Sequence, residues 1–154
     1  MAKGKVSPEL IEQFKQIVGE KYVYTDKDKL EPYSHDEVTD PHYMKEPQVV
    51  VLPATTEEVS KVVKLCYEND TVMVPRAAGT GLAAGAVATF GGVIISIERM
   101  NKILEIDKDN MVCVSEAGVT TSVLQDAVQK EGLFYGGDPC SGDSCFIGGN
   151  VATN

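Results

Sequence analysis

Residues 48 to 74 hold the pattern that most limits what this chain can fold into. Gln48 to Leu52 is a β-branched run, Thr55-Thr56-Glu57-Glu58 has the Thr-to-Glu spacing of a helix capping box, and Val59, Val62, Val63 and Cys66 follow at helical spacing. Thr71 to Val74 then returns to an apolar strand. A strand, a helix of about a dozen residues and a second strand make a β-α-β unit, whose crossover runs the strands parallel and lays the helix on one face. Gly92 to Ile97 predicts a third apolar strand, and the small-residue stretch Ala77 to Ala88 precedes it.

On either side of this unit the pattern changes. Ser7-Pro8, then Leu10, Ile11, Phe14, Ile17 and Val18, then Gly19 supply an N-cap, a proline at the first helical position, an apolar stripe and a stop. One amphipathic helix therefore starts the chain. From Tyr22 to Pro47 no period is sustained and Pro32, Pro41 and Pro47 interrupt, which predicts an irregular wrapping connection with one helical turn near Lys27 to Tyr33. Asn101 to Asp107 and Met111 to Glu116 flank Lys108-Asp109-Asn110, a hairpin-type break that predicts antiparallel pairing beyond residue 100. Thr120 caps a helix carrying Val123, Leu124, Ala127 and Val128, which stops at Gly132. Leu133 to Asn154 holds five glycines and Pro139 with no helical period, and reads as a long ordered loop across a ligand site. The expected division is a helix and irregular leader over residues 1–47 and one domain over 48–154, with an internal break near 99. A chain that stops inside its last loop reads as truncated at the C-terminal end.

Charge and composition remove several function classes. The formal net charge of -9 repels polyanions, and apart from Lys3 and Lys5 no basic cluster stands out, so nucleic acid is not an expected partner. No stretch reaches the roughly 18 apolar residues of a membrane span, and Met1 to Val6 lacks the apolar core of a signal peptide, so a cytoplasmic location is expected. Cys66, Cys113, Cys140 and Cys145 form no C-x-x-C pair and have no histidine beside them, so no metal site is expected. Cys66 and Cys113 sit among apolar residues and are expected to be buried thiols.

The chemistry-bearing feature is Pro75-Arg76-Ala77-Ala78-Gly79-Thr80-Gly81-Leu82-Ala83-Ala84-Gly85, placed directly after a strand. Small side chains let the backbone approach a ligand closely, and successive N–H groups turned one way form an anion nest. Thr80 adds a hydroxyl and Arg76 a fixed positive charge. A tight packing loop would also need small residues; a nucleotide phosphate accounts for Thr80 and Arg76 as well. Gly79 to Ala84 also fits the Rossmann fingerprint G-x-G-x-x-A, with Glu98 about twenty residues on where a ribose-binding acid would stand. That reading needs a helix from Leu82 to Phe90 with Gly85 inside it, and gives no role to the second small-residue loop at Phe146 to Asn154. Two such loops, about sixty residues apart, suit a long ligand lying across two subdomains.

Arg76 to Ala86, Gly91-Gly92-Val93-Ile94-Ile95-Ser96, Met100-Asn101, Glu116-Ala117-Gly118-Val119 and Ile147 to Asn154 together resemble the FAD-binding (PCMH-type) domain of the vanillyl-alcohol-oxidase-type flavoproteins. Within that family the chain resembles the glycolate oxidase catalytic subunit and D-lactate dehydrogenase branch. The resemblance runs from about Gln48 to Asn154 and implies an α+β fold, a small β-α-β subdomain followed by the start of a mainly antiparallel one, with FAD between them. It implies that Arg76, Ala77, Ala78, Gly79, Thr80, Gly81 and Leu82 wrap the FAD pyrophosphate, and that Asp138, Pro139, Ser141, Cys145, Gly148, Asn150, Ala152 and Asn154 run along the flavin. Close relatives usually carry glycine at Ala77, where a positive φ would penalise the methyl group, and serine at Cys140. His35 and His42 match no covalent-attachment motif of the family. The implied activity is oxidation of a small 2-hydroxy acid to a 2-oxo acid by hydride transfer to FAD, with an iron–sulfur subunit or an electron-transferring flavoprotein as a possible partner. The catalytic residues would lie in a later substrate domain. The alternatives are a non-catalytic nucleotide-binding module and, further off, a Rossmann NAD-dependent enzyme.

Overall fold

The computed structural model describes residues 5–153. The first helix, α1 (Pro8–Val18), begins where Ser7 accepts the Leu10 N–H and ends at Gly19, whose φ of 91° lets the chain turn away. The leader is not wholly irregular. It makes a helical turn α2 (Lys27–Leu30) followed by a 3-10 turn (Glu31–Tyr33), as the sequence suggests, and also a short strand β1 (Val23–Tyr24) that the sequence pattern does not reveal. Two residues are too few to show a period.

β1 pairs antiparallel with β2 (Val49–Val51), and β2 pairs parallel with β4 (Val93–Ser96), which in turn pairs parallel with β3 (Met73–Arg76). The order β1-β2-β4-β3 puts β2 and β4 inside the four-stranded sheet. The β-α-β unit is thus parallel as expected, with β4 inserted between its two strands. β3 begins two residues later than the apolar run and includes Pro75, which an edge strand tolerates because one side of its backbone carries no ladder.

The alternation of β2 and β4 explains how both faces are filled. Val49, Val51, Val93 and Ile95 face Leu10, Phe14 and Val18 of α1 and Val62 and Cys66 of α3 (Thr56–Glu68). Val50, Leu52 and Ile94 face the other way, onto Leu30 and Ala88 with Tyr22, Tyr24 and Tyr33 around them. Helix α3 is capped from Thr55 and Glu58 in a variant of the expected box: Thr55 Oγ1 accepts the Glu58 N–H, while the Glu58 carboxylate reaches one residue past the N-cap and accepts the Ala54 N–H at 2.7 Å.

Past residue 100, β5 (Ile103–Asp107) and β6 (Val112–Ser115) form an antiparallel pair with an irregularity between Ile103 and Glu105. Ile103, Ile106 and Cys113 of this hairpin pack on a third cluster made by Val119, Leu124 and Val128, the last two from α4 (Thr121–Lys130). The final stretch holds a helix, α5 (Ile147–Thr153), where the sequence predicts only loop. Its run of small residues hides any apolar period, and outside bonds fix its start: Ile147 N–H to Val119 O at 2.9 Å and Gly148 N–H to Ala117 O at 2.8 Å.

Candidate functional site

A cleft of about 670 Å³ lies between the segment that leaves β3 and the segment that runs from Pro139 through α5. One wall is Pro75 to Ala83 with Gly85 and Ala86. The opposite wall is Pro139, Ser141, Cys145, Phe146, Gly148, Gly149, Asn150, Ala152 and Thr153, and Ile97, Ala117 and Asp36 complete the lining. The structure therefore gathers Arg76, Ala77, Ala78, Gly79, Thr80, Gly81 and Leu82 with Pro139, Ser141, Cys145, Gly148, Asn150 and Ala152 around one space. Asp138 is exposed and does not line it, and Asn154 lies outside the described residues.

The first wall contains no helix: Leu82 to Phe90 is a series of bends and turns. A Rossmann unit needs a helix there, so the fingerprint at Gly79 to Ala84 is a coincidence of small residues. Gly79 has a φ of 76°, and a side chain on it would collide with the Arg76 guanidinium. Gly81 and Gly85 have open space where a Cβ would sit. Ala77 is not among the residues of positive φ, so its methyl group carries no backbone penalty. It instead meets the other wall, 3.1 Å from where a Cβ of Gly149 would be. Among the described residues, no backbone N–H from Ala77 to Ala86 donates to a backbone carbonyl. A loop of free donors without side chains in the way is the surface an anion needs.

Arg76 plays a part that its sequence position does not suggest. It is 7% exposed, and its guanidinium donates to the carbonyls of His35 at 2.8 Å, Pro32 at 3.2 Å and Ala86 at 3.3 Å, with the Tyr33 ring beside it. Burial lowers its pKa from the ordinary arginine value, against the opposing effect of Tyr33, Asp36 and Glu98. Arg76 thus ties the leader to the glycine loop, and the Glu37 N–H bonded to Gly81 O at 3.0 Å adds a second tie. Tyr33 in turn donates to Glu98 Oε1 at 2.8 Å, so Glu98 serves a structural contact with the leader.

On the opposite wall, Thr121 Oγ1 receives the Asn150 Nδ2–H at 2.7 Å and contacts Cys145 Sγ at 3.2 Å. Burial by itself pushes the Cys145 thiol up, and hydrogen bonds with Thr121, Ser141, Asn150 and the backbone outweigh it, leaving the pKa below the ordinary cysteine value. Cys66 lies far from this wall in the first core and burial pushes it up to about 11, while Cys113 is half-buried and Cys140 exposed. Gly148 is held so close to Ala117 that a Cβ would come within 2.7 Å of the Ala117 methyl group. Asp36 and Ile97 belong to the lining although they lie in none of the sequence motifs, and Ala117 and Phe146 belong to it although the motifs that contain them do not mark them as cofactor-binding. Gly85, Ala86 and Gly149 lie inside the small-residue motifs, whereas Asp36 comes from the leader, where no signal marks it.

Comparison with known proteins supplies the remaining evidence. Residues 47–154 match the family model described as an FAD binding domain. The chain is 45% identical over 153 residues, 98% of its length, to the D-lactate dehydrogenase of Anaerostipes hadrus, of which it covers 31%. It is 39% identical over 122 residues, 79% of its length, to the glycolate oxidase subunit GlcD of Bacillus subtilis (strain 168), of which it covers 26%. Among solved structures, alkyldihydroxyacetonephosphate synthase superposes with a TM-score of 0.86 at 25% identity, covering 97% of this chain and 32% of that one. The chain thus spans about a third or less of the length of these proteins.

Proposed function

Since the chain belongs to the FAD-binding domain family, we propose that it is the cofactor-holding part of a flavin-dependent dehydrogenase or oxidase acting on a 2-hydroxy acid of the D-lactate or glycolate type. The observation that carries this reading is the first wall of the cleft. Ten consecutive residues, Ala77 to Ala86, offer backbone N–H groups that no backbone carbonyl takes, and Gly81 and Gly85 leave room for close approach. The residues fit a dinucleotide pyrophosphate there, with Thr80 adding a hydroxyl. The Pro139 to Ala152 wall, small and partly apolar, suits a flat ring system.

When bound, FAD supplies the redox chemistry by accepting a hydride equivalent from the substrate. The work of this chain is to hold and aim the cofactor. Arg76 fixes the loop through the leader carbonyls, and the Thr121, Asn150 and Cys145 contacts fix the opposite wall. On this reading residues 48–154 make up the cofactor domain, with a division near 99 along the cleft. A cytoplasmic location and an iron–sulfur or electron-transferring partner extend the same proposal. Among the described residues no helix is long and apolar enough to cross a membrane.

The test is a pair of calorimetric titrations of this chain, with FAD and with NAD, followed by anaerobic addition of D-lactate and of glycolate to a flavin-loaded longer protein that continues past residue 154 into a substrate domain. Saturable FAD binding with no NAD response supports the cofactor assignment, and bleaching of the bound flavin by one acid supports the substrate class. Binding of NAD alone overturns both.

A further inference from the structure

The glycine loop is held by its acceptors, which is what leaves its donors free. Among the described residues, no backbone N–H from 77 to 86 goes to a backbone carbonyl, yet Gly81 O receives the Glu37 N–H at 3.0 Å and Ala86 O receives Arg76 Nη1 at 3.3 Å. The same Nη1 donates to His35 O at 2.8 Å, so one nitrogen joins the end of the loop to the leader. The middle of the loop is thus tied to the leader. The leader is in turn anchored at few points: Pro32 O takes Arg76 Nη2 at 3.2 Å, Tyr33 donates to Glu98 at 2.8 Å, and the Lys45 N–H closes onto Ser34 O at 2.8 Å. Residues 39–46 are all exposed, and the leader precedes the 47–154 match to the FAD binding domain. A segment with so little buried surface opens locally at lower free energy than the sheet.

We propose that residues 32–37 are a strap that keeps the glycine loop in its cofactor-binding shape, so that undocking of the leader and release of the cofactor are coupled. This rests on the reading of the cleft as an FAD site. An irregular loop of small residues has many shapes open to it, and only one that turns its N–H groups the same way forms an anion nest. The bonds from Glu37 and Arg76 select that shape from outside the loop. A cofactor that binds only while the strap is docked raises the free energy of undocking, and by reciprocity anything that lifts the strap lowers cofactor affinity. A segment outside the matched domain therefore regulates how tightly that domain holds its ligand.

The experiment is backbone amide exchange on the full chain, without FAD and with FAD at about a hundredfold excess over its Kd. The reporters are the amides of Glu37 and of Lys45, the second of which lies outside the cleft lining. Without ligand both are expected to exchange faster than the Ile94 amide in the sheet, and FAD is expected to slow both by about a hundredfold. The Asn110 amide, held by Asp107 in the hairpin turn, is the control and stays unchanged. Tyr33→Phe removes the hydroxyl that anchors the leader to Glu98, keeps the ring beside Arg76 and alters no residue of the cleft. In that variant the ligand-free exchange at Lys45 is expected to rise by about tenfold or more, the range for losing a hydrogen bond to a charged group, and FAD slows it again. Leader amides that exchange faster than Ile94 but ignore bound FAD overturn the inference, since the strap then opens with the cofactor in place. Leader exchange no faster than at Ile94 overturns it too, because no separate strap exists, as does an unchanged rate in Tyr33→Phe. Failure of the wild-type chain to bind FAD overturns the cofactor reading itself, and this inference with it.

Discussion

Glycine serves two separate purposes along the cleft, and single substitutions tell them apart. At Gly118 a Cβ would lie 2.3 Å from Ile97 O and 2.7 Å from Met100 O, both backbone atoms that cannot move aside cheaply. Gly118→Ala is expected to cost about 1–3 kcal/mol or more of stability through overpacking, read from a urea midpoint. Gly81 has no positive φ and nothing within 4 Å of its Cβ position, so Gly81→Ala is expected to leave stability unchanged or raised by about 0.4–1 kcal/mol while weakening FAD binding at least tenfold. Unaltered FAD affinity there would mean that the loop does not approach the phosphates. Tyr33 gives a pH prediction. Burial, with the hydrogen bond to Glu98 second, raises its pKa above the ordinary value near 10. The folded state holds that proton more tightly, so the contribution is complete below about pH 10 and is lost as pH rises through the folded value. Stability measured at pH 9 and pH 11 should fall more for wild type than for Tyr33→Phe; equal slopes would refute the assignment. The glycine loops were legible in the sequence because residue type alone implies close approach. Asp36 and the role of Arg76 were not, since both depend on where an aperiodic leader folds back.

At the scale of elements, the two threonine-led helices differ in a way that sequence cannot show. Thr55 accepts the Glu58 N–H at 3.2 Å, but Thr120, in the same N-cap position before α4, makes no side-chain capping bond. Thr55→Ala should therefore cost about 1 kcal/mol and Thr120→Ala only a few tenths, measured by denaturant midpoints of the two variants. Comparable losses would show that the α4 cap forms in solution. α1, β2, α3, β4, the hairpin and α4 were legible because each is long enough to display its period or is bounded by a cap or turn residue. β1 and α5 escaped for opposite reasons. β1 is two residues long, and α5 is a seven-residue helix of mainly small residues, held at its start by Val119 O and Ala117 O. β3 runs two residues past the apolar stretch, through Pro75 and Arg76, because an edge position tolerates a proline and needs no further apolar side chain there.

For the whole molecule, the cleft joins two hydrophobic units that are otherwise built separately. Its first wall leaves the four-stranded sheet, and its second wall belongs to the segment bonded to Ala117, Val119 and Thr121 beside the α4 cluster. A ligand held by both walls has to be released before either unit can open. Bound FAD at a hundredfold excess over its Kd adds about 2.7 kcal/mol to the free energy of any opening that destroys the site. Amide exchange should accordingly slow by about a hundredfold both at Ile94 in the sheet and at Leu124 in α4, whereas exposed amides that exchange by fraying stay unchanged. A gain confined to the sheet would show that the glycine loop alone holds the cofactor. A gain in both, lost together in Gly81→Ala, would mean that the dinucleotide is the element that couples the two units.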